Sequence, residues 1–184
     1  MEQLLYREAD LELWVSDTFD GAMLAPILCN TLDKAEHGRW DDYDETAHCC
    51  RLIEAARRDP GLHMEFHTAR RDGRVVGICL ATRGRIAQPL FFPAHLLPAD
   101  LSAAMGVLNY FHIAPDARGF GRRWLRDVIL PRFRETGVEQ VFVKSSHPRA
   151  FSLYRSFGEE AGAYTTQSDN GLHTRQGLMF RITL

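Results

Sequence analysis

The stretch Val107-Leu-Asn-Tyr-Phe-His-Ile113-Ala-Pro-Asp-Ala-Arg118-Gly-Phe-Gly121-Arg-Arg123 decides how the rest of the chain is read. Val107 to Ile113 has the composition of a strand, and Arg118 to Gly121 is a glycine-rich turn. From Arg122 to Glu135 the apolar residues Trp124, Leu125, Val128, Ile129 and Phe133 recur on one helical face, and Gly137 supplies the C-cap. A strand, a glycine turn and a helix start make a natural anion site. Glycine lets the backbone approach the ligand, the first-turn N–H groups lack partners, and the helix dipole favours negative charge. No Gly-Lys-Ser/Thr follows and GxGxxG is not matched, so the common nucleotide loops are excluded.

Downstream, Gln140–Ser145 reads as a strand and Arg149–Phe157 as a short helix stopped by Gly158; two strands follow near Ala163–Gln167 and Leu178–Leu184. Upstream, Met64–Ala69 and Arg74–Thr82 flank Arg71-Asp72-Gly73, and Asp-Gly between two β-rich runs signals a hairpin. Residues 83–104 read as a loop-like insertion, with Pro89, Pro93 and Pro98 around Leu90-Phe91-Phe92. Phe91 and Phe92 are either a wall of a ligand site or ordinary core. At the start, Leu11, Leu13 and Val15 alternate with Glu12 and Trp14, giving one or two strands within Leu4–Val15. Met23, Leu24, Ile27 and Leu28 predict a helix over Asp20–Leu32, kinked or interrupted by Pro26. A second helix begins near Asp44, carries Ala47, Cys50, Leu52, Ile53 and Ala56, and ends before Asp59-Pro60-Gly61. Strands with interleaved helices predict an α/β domain with a mixed sheet.

The 184 residues suit one domain, and 45% hydrophobic with 25% charged is ordinary globular composition. No apolar run approaches the ~18 residues of a membrane span. The acidic first residues, Met1-Glu-Gln-Leu-Leu-Tyr-Arg-Glu8, do not read as a signal peptide, so a cytoplasmic location with reduced Cys29, Cys49, Cys50 and Cys79 is expected. The net charge of −2 is uneven, because 14 acidic and 6 basic residues fall in 1–60 against 10 and 16 in 61–184. All the basic residues except Lys34 and Lys144 are arginines, which suits an anionic ligand in the second half or simply solvated charge. His63 and His67 share a strand face, but the spacing of His and Cys does not suggest zinc, and no metal is expected.

Two segments carry a resemblance. Ile113-Ala-Pro-Asp-Ala-Arg118-Gly-Phe-Gly121 resembles the acetyl-CoA pyrophosphate loop of the GNAT superfamily of N-acetyltransferases, usually Arg/Gln-x-x-Gly-x-Gly/Ala. Arg118 and Gly121 match, while Arg123 stands at the final Gly/Ala position. His147-Pro-Arg-Ala150-Phe-Ser-Leu153-Tyr154-Arg-Ser-Phe-Gly158 resembles the family's Asn-x-x-Ala-x-x-Leu-Tyr-x-x-x-Gly-Phe, with His147 for Asn and Glu159 for Phe. The resemblance covers residues 64–184; residues 1–60 fit the family's less regular β-α-α start.

It implies a GNAT fold, a mixed and mostly antiparallel sheet splayed between two parallel strands, 107–113 and 140–145, with helices on its faces. It implies acetyl-CoA as cosubstrate, its arm paired with backbone near Phe111 and Ile113. The amides of Arg118, Gly119, Phe120, Gly121, Arg122 and Arg123 would hold the pyrophosphate. His147 stands where an Asn usually bonds near that arm. Tyr154 would protonate the leaving thiolate, a phenol of pKa ~10 suiting a thiol of ~8–9; its alternative is an aromatic packed on the sheet. The strand 107–113 holds no carboxylate, leaving Asn109, Tyr110 and His112, and His112 has the pKa of a base. Strict alternation puts Tyr110 and His112 on one face and Asn109 and Phe111 on the other. Acids in 36–45 are candidates to attract a cationic amine.

The expected activity is acetyl transfer to a primary amine, foremost a small molecule; a protein N-terminus or lysine, and a non-catalytic acyl-CoA-binding domain, are the alternatives. Nucleic acid and membrane are not expected partners. Homodimers being common in the family, a homodimer is admitted.

Overall fold

Alternation builds the first hairpin. In this computed structural model, which describes residues 1–39, 42–86, 91–96, 98 and 104–184, β1 (Glu2–Glu8) and β2 (Leu11–Ser16) pair antiparallel. Leu11, Leu13 and Val15 are buried, while Trp14 donates its indole N–H to Glu12 Oε2 at 3.0 Å on the other face. The region expected as one or two strands is therefore two.

Pro26 does not interrupt a helix. A 3₁₀ turn at Gly21–Leu24 is capped by Asp20, whose carboxylate accepts from Ala22 N at 2.9 Å, and α1 (Ala25–Glu36) starts with Pro26 in its first turn. A missing N–H costs nothing there. Helix α2 (Glu45–Arg57) is capped by Asp44, which accepts from Ala47 N at 2.9 Å.

β3 (Leu62–Arg71) and β4 (Arg74–Gly84) form the expected hairpin. Asp72 and Gly73 both have positive φ, +48° and +76°, as a two-residue turn matched to strand twist requires. The insertion is shorter than its residue numbers suggest, since β4 runs on to Gly84 and β5 (Met105–Ile113) starts early. Pro89 and Leu90 lie outside the described residues. Phe91 and Phe92 are ordinary core, fully buried, with Phe92 edge-on to Phe142 at 5.4 Å.

After β5, α3 (Gly121–Trp124) runs through a π-helical stretch (Leu125–Ile129) into α4 (Leu130–Glu135). Pro131 lies inside this run and cannot donate to the preceding turn. The chain widens around it, with Leu130 N–H reaching back to Leu125 O. β6 (Gln140–Ser145), α5 (Pro148–Arg155), β7 (Glu159–Gln167) and β8 (Thr174–Thr183) complete the chain. β7 begins earlier than Ala163 because its edge position demands few apolar residues.

The eight strands lie in the order β1-β2-β3-β4-β5-β6-β8-β7, antiparallel throughout except for β5 beside β6. One face carries Trp124, Val128, Phe133, Tyr154 and Phe180; the other carries Ile27, Leu52, Ile53, Phe66 and Phe142. Among the described residues no helix is long and apolar enough to cross a membrane.

Gly158 lets α5 stop against β8. A Cβ there would stand 2.1 Å from the carbonyl oxygen of Arg181, and backbone cannot yield as a side chain can. Gly158→Ala is expected to cost about 1–3 kcal/mol, the range for overpacking, seen as a lower urea midpoint with an unchanged slope.

Candidate active site

The parallel strands β5 and β6 pair only from Met105–Gln140 to Leu108–Val143. Beyond that rung β5 stays with β4 and β6 stays with β8, so the sheet opens between them.

A β-bulge sits in the open part of β5. Asn109 pairs with Leu80 and His112 with Ile78, leaving Tyr110 and Phe111 opposite Cys79 alone, and Tyr110 takes φ +48°. An extra residue shifts the facing pattern. Asn109 pairs with Leu80 and so lies on the α1–α2 face with Tyr110 and His112, not with Phe111 as strict alternation predicts. Phe111 and Ile113 go to the α3–α5 face, where the Phe111 ring meets Trp124 at 5.3 Å.

The turn before α3 is built for close approach. Gly119 has φ +118°, and a Cβ on Gly121 would be 2.8 Å from Ile113 Cδ1. The amides of Arg118 to Arg123 find no backbone carbonyl among the described residues. The Phe120 ring is core, 5.7 Å from Trp124, so its contribution to a ligand is backbone alone. The arginine side chains are engaged within the protein. Arg118 donates to Asn30 Oδ1 at 3.2 Å, Arg122 to Ser156 Oγ at 2.7 Å, and Arg123 pairs with Glu8 beside the Tyr6 ring. Arg122 bridges α3 to the C-terminal end of α5, over the Phe157 ring. Arg123 neither crowds the turn nor faces it.

Tyr154, on α5, is buried in the same α3–α5 cluster, 5.4 Å from the Phe180 ring. Burial, with Cys79 and Tyr164 nearby, holds its phenol protonated well above the ordinary range.

The α1–α2 face holds a residue that composition alone did not single out. Glu45, in the first turn of α2, is buried, and its carboxylate turns inward rather than toward a ligand. Its Oε1 accepts from Lys34 Nζ at 3.1 Å and meets His147 Nε2 at 3.3 Å, while its Oε2 lies 3.2 Å from His112 Nε2. His147 thus reaches across to the α2 carboxylate from the N-cap of α5. Burial alone would raise the Glu45 pKa, but hydrogen bonding from His147, the adjacent His112 ring and the Lys34 ammonium outweigh it and hold the carboxylate ionised. His112 moves the other way. Burial pushes its imidazole down to about 4 against the opposing pull of Glu45. At neutral pH the pair is therefore carboxylate beside neutral imidazole. The only warning in sequence was an acid next to a helix cap; nothing local announces a contact 67 residues away.

Around this cluster, Tyr110 stacks with His112 at 6.3 Å, and burial lowers the Lys144 ammonium on β6 to about 8. The α1–α2 connection is tied to the β7–β8 turn. Asp169 accepts from Asp44 N at 2.7 Å and meets His48 Nε2 at 2.6 Å, and Asp169 N donates to Asp42 O at 2.9 Å. Tyr43 stacks on His48 at 4.3 Å under the Arg175 guanidinium. Of the acids in 36–45, Asp41 lies outside the described residues. Elsewhere, His63 and His67 flank Glu65, which binds Arg132 at 2.9 Å and is held down to about 2 despite its burial. Among the described residues no group of three His, Cys, Asp or Glu is arranged to hold a metal.

The His112 pKa has a stability consequence. With a folded value near 4 below the ordinary 6.5, the unfolded chain binds the extra proton between those pH values. The contribution is full above about pH 6.5 and is lost as pH falls through about 4. His112→Gln is expected to remove that part of the slope between pH 6.5 and 4, measured by denaturation at several pH values.

No family model and no curated protein sequence matches the chain. Solved structures do. A ribosomal-protein-alanine N-acetyltransferase from Brucella melitensis aligns at 22% identity over 92% of this chain and 99% of its own, with TM-score 0.56. A GNAT-superfamily phosphinothricin acetyltransferase from Sinorhizobium meliloti, solved with AcCoA, aligns at 14% over 92% and 87%, with TM-score 0.58. A probable acetyltransferase from Staphylococcus epidermidis aligns at 11% over 100% and 99%, with TM-score 0.59. The chain has the GNAT fold.

Proposed function

We propose that this chain, as a single GNAT domain, is an acetyl-CoA-dependent N-acetyltransferase acting on a small primary amine. The observation that carries the reading is the opening of β5 from β6 beyond Leu108–Val143, with the Tyr154 cluster on one face and a neutral His112 on the other. An acid and a base on opposite sides of one cleft suit two partners meeting in it.

The residues present fit the cosubstrate. Beyond Leu108 the edge of β5 has no strand beside it among the described residues and offers room for an amide-bearing arm near Phe111, while Ile113 O accepts from Asn30 Nδ2 at 2.9 Å. The amides of Arg118 to Arg123 offer donors to a pyrophosphate, and nothing stands within 4 Å of where a Cβ on Gly119 would be. When bound, acetyl-CoA supplies an activated acyl thioester.

The chain's own groups manage the protons. The amine enters after losing one proton to solvent. As its nitrogen bonds the acyl carbon, His112 takes the second proton. As the carbon–sulfur bond breaks, Tyr154 gives its hydroxyl proton to sulfur. One proton then passes from imidazolium to phenolate through water, restoring both residues; the products are the amide and the free thiol. A general acid or base of this kind is worth roughly 10²–10⁴-fold. The bridge from Asp42 and Asp44 to Asp169 spans the amine side, which favours a small acceptor over a polypeptide.

Acetyl-CoA is expected to raise Tm, and some amine in a panel to release free thiol; Tyr154→Phe then slows release by about 10²-fold or more. A Tm rise without turnover of any amine would leave a binding domain. No rise at all would reject the proposal.

A further inference from the structure

We propose that Glu45 is a positioning residue for His112, holding the imidazole in the tautomer that carries its hydrogen on Nε2 and stabilising the imidazolium formed when the amine proton arrives. This rests on the reading of His112 as the base.

The two carboxylate oxygens divide their work. Oε1 is anchored, by Lys34 from α1 at 3.1 Å and by His147 from the start of α5 at 3.3 Å. Oε2 faces His112 from β5 at 3.2 Å. A carboxylate needing only a counter-ion to survive burial has one in Lys34. The chain nevertheless brings three other segments to this one group, and the anchoring contacts leave the second oxygen to the imidazole. A negative oxygen beside Nε2 favours hydrogen on that nitrogen and leaves Nδ1 with the lone pair to accept a proton. When it does, the new positive charge forms beside a fixed counter-charge in a site shielded from water, where such a charge counts most. The base drawn from sequence was a lone histidine; the structure makes it half of a pair.

The test is a double-mutant cycle with a second readout independent of turnover. Glu45→Gln is expected to lower kcat about 10²-fold while leaving the KM for acetyl-CoA within twofold, since the cosubstrate site lies on the other face. In a His112→Gln background the same change is expected to have no further effect. Imidazole nitrogen NMR is expected to show Nε2 protonated in the wild type and mixed tautomers in Glu45→Gln. An equal loss of kcat in both backgrounds, or an unchanged tautomer, overturns the proposal. A His112→Gln enzyme with full kcat overturns it together with the base assignment. Should the wild type turn over no amine, the tautomer comparison decides the positioning claim on its own. Should Glu45→Gln fail to fold, Glu45→Asp keeps the charge at a longer reach; a smaller loss of kcat at constant KM supports the claim, and no loss overturns it.

Discussion

The four-residue length of the β5–β6 pairing is the constraint on which the rest depends. Parallel strands normally continue side by side as long as both persist. Here they part after Leu108–Val143 because β5 bulges at Tyr110 and follows β4, while β6 follows β8. The parting leaves β5 beyond Leu108 with no strand beside that edge among the described residues, and at its end a side chain fills in, Asn30 Nδ2 donating to Ile113 O at 2.9 Å. The same bulge sorts the side chains. It sends Phe111 toward Trp124 and turns Tyr110 and His112 to the opposite face. A single inserted residue thus sends Phe111 to one face and Tyr110 and His112 to the other.

Charge is used mainly inside the molecule. The acidic first third and the arginine-rich remainder suggest separate ligands when read as composition. In the folded chain they largely meet each other. Glu2 pairs with Arg70, Glu8 with Arg123, Asp10 with Arg71, and Glu45 with histidines from the second half. Most of these pairs are exposed and contribute little stability individually. Glu45 differs because it is buried, and losing the Lys34 ammonium beside it would leave a costly charge. What the turn at 118–123 offers an anion is therefore backbone more than arginine side chains.

Much of this was legible in the chain itself. The order of elements follows from periodicity, the Asp72-Gly73 turn and the glycine signals at 119–121 and 158. Errors arose where one residue acts against its local pattern. Pro26 reads as a breaker but opens a helix. The bulge breaks the two-residue period and so reverses the predicted side of Asn109. The contiguous motifs gave the positions of the candidate residues, the 118–123 turn ahead of the α3 helix and Tyr154 on α5. Glu45 was not legible in this way, because its role comes from contacts with residues 34, 112 and 147, which only the folded sheet brings together.

A crystal structure of the protein with CoA tests the central claim most directly. The pantetheine arm is expected along the open edge of β5, the pyrophosphate on the 118–123 amides, and the sulfur within hydrogen-bonding reach of Tyr154. CoA bound elsewhere on the protein, with the β5–β6 cleft closed and Tyr154 remote from the sulfur, would contradict it.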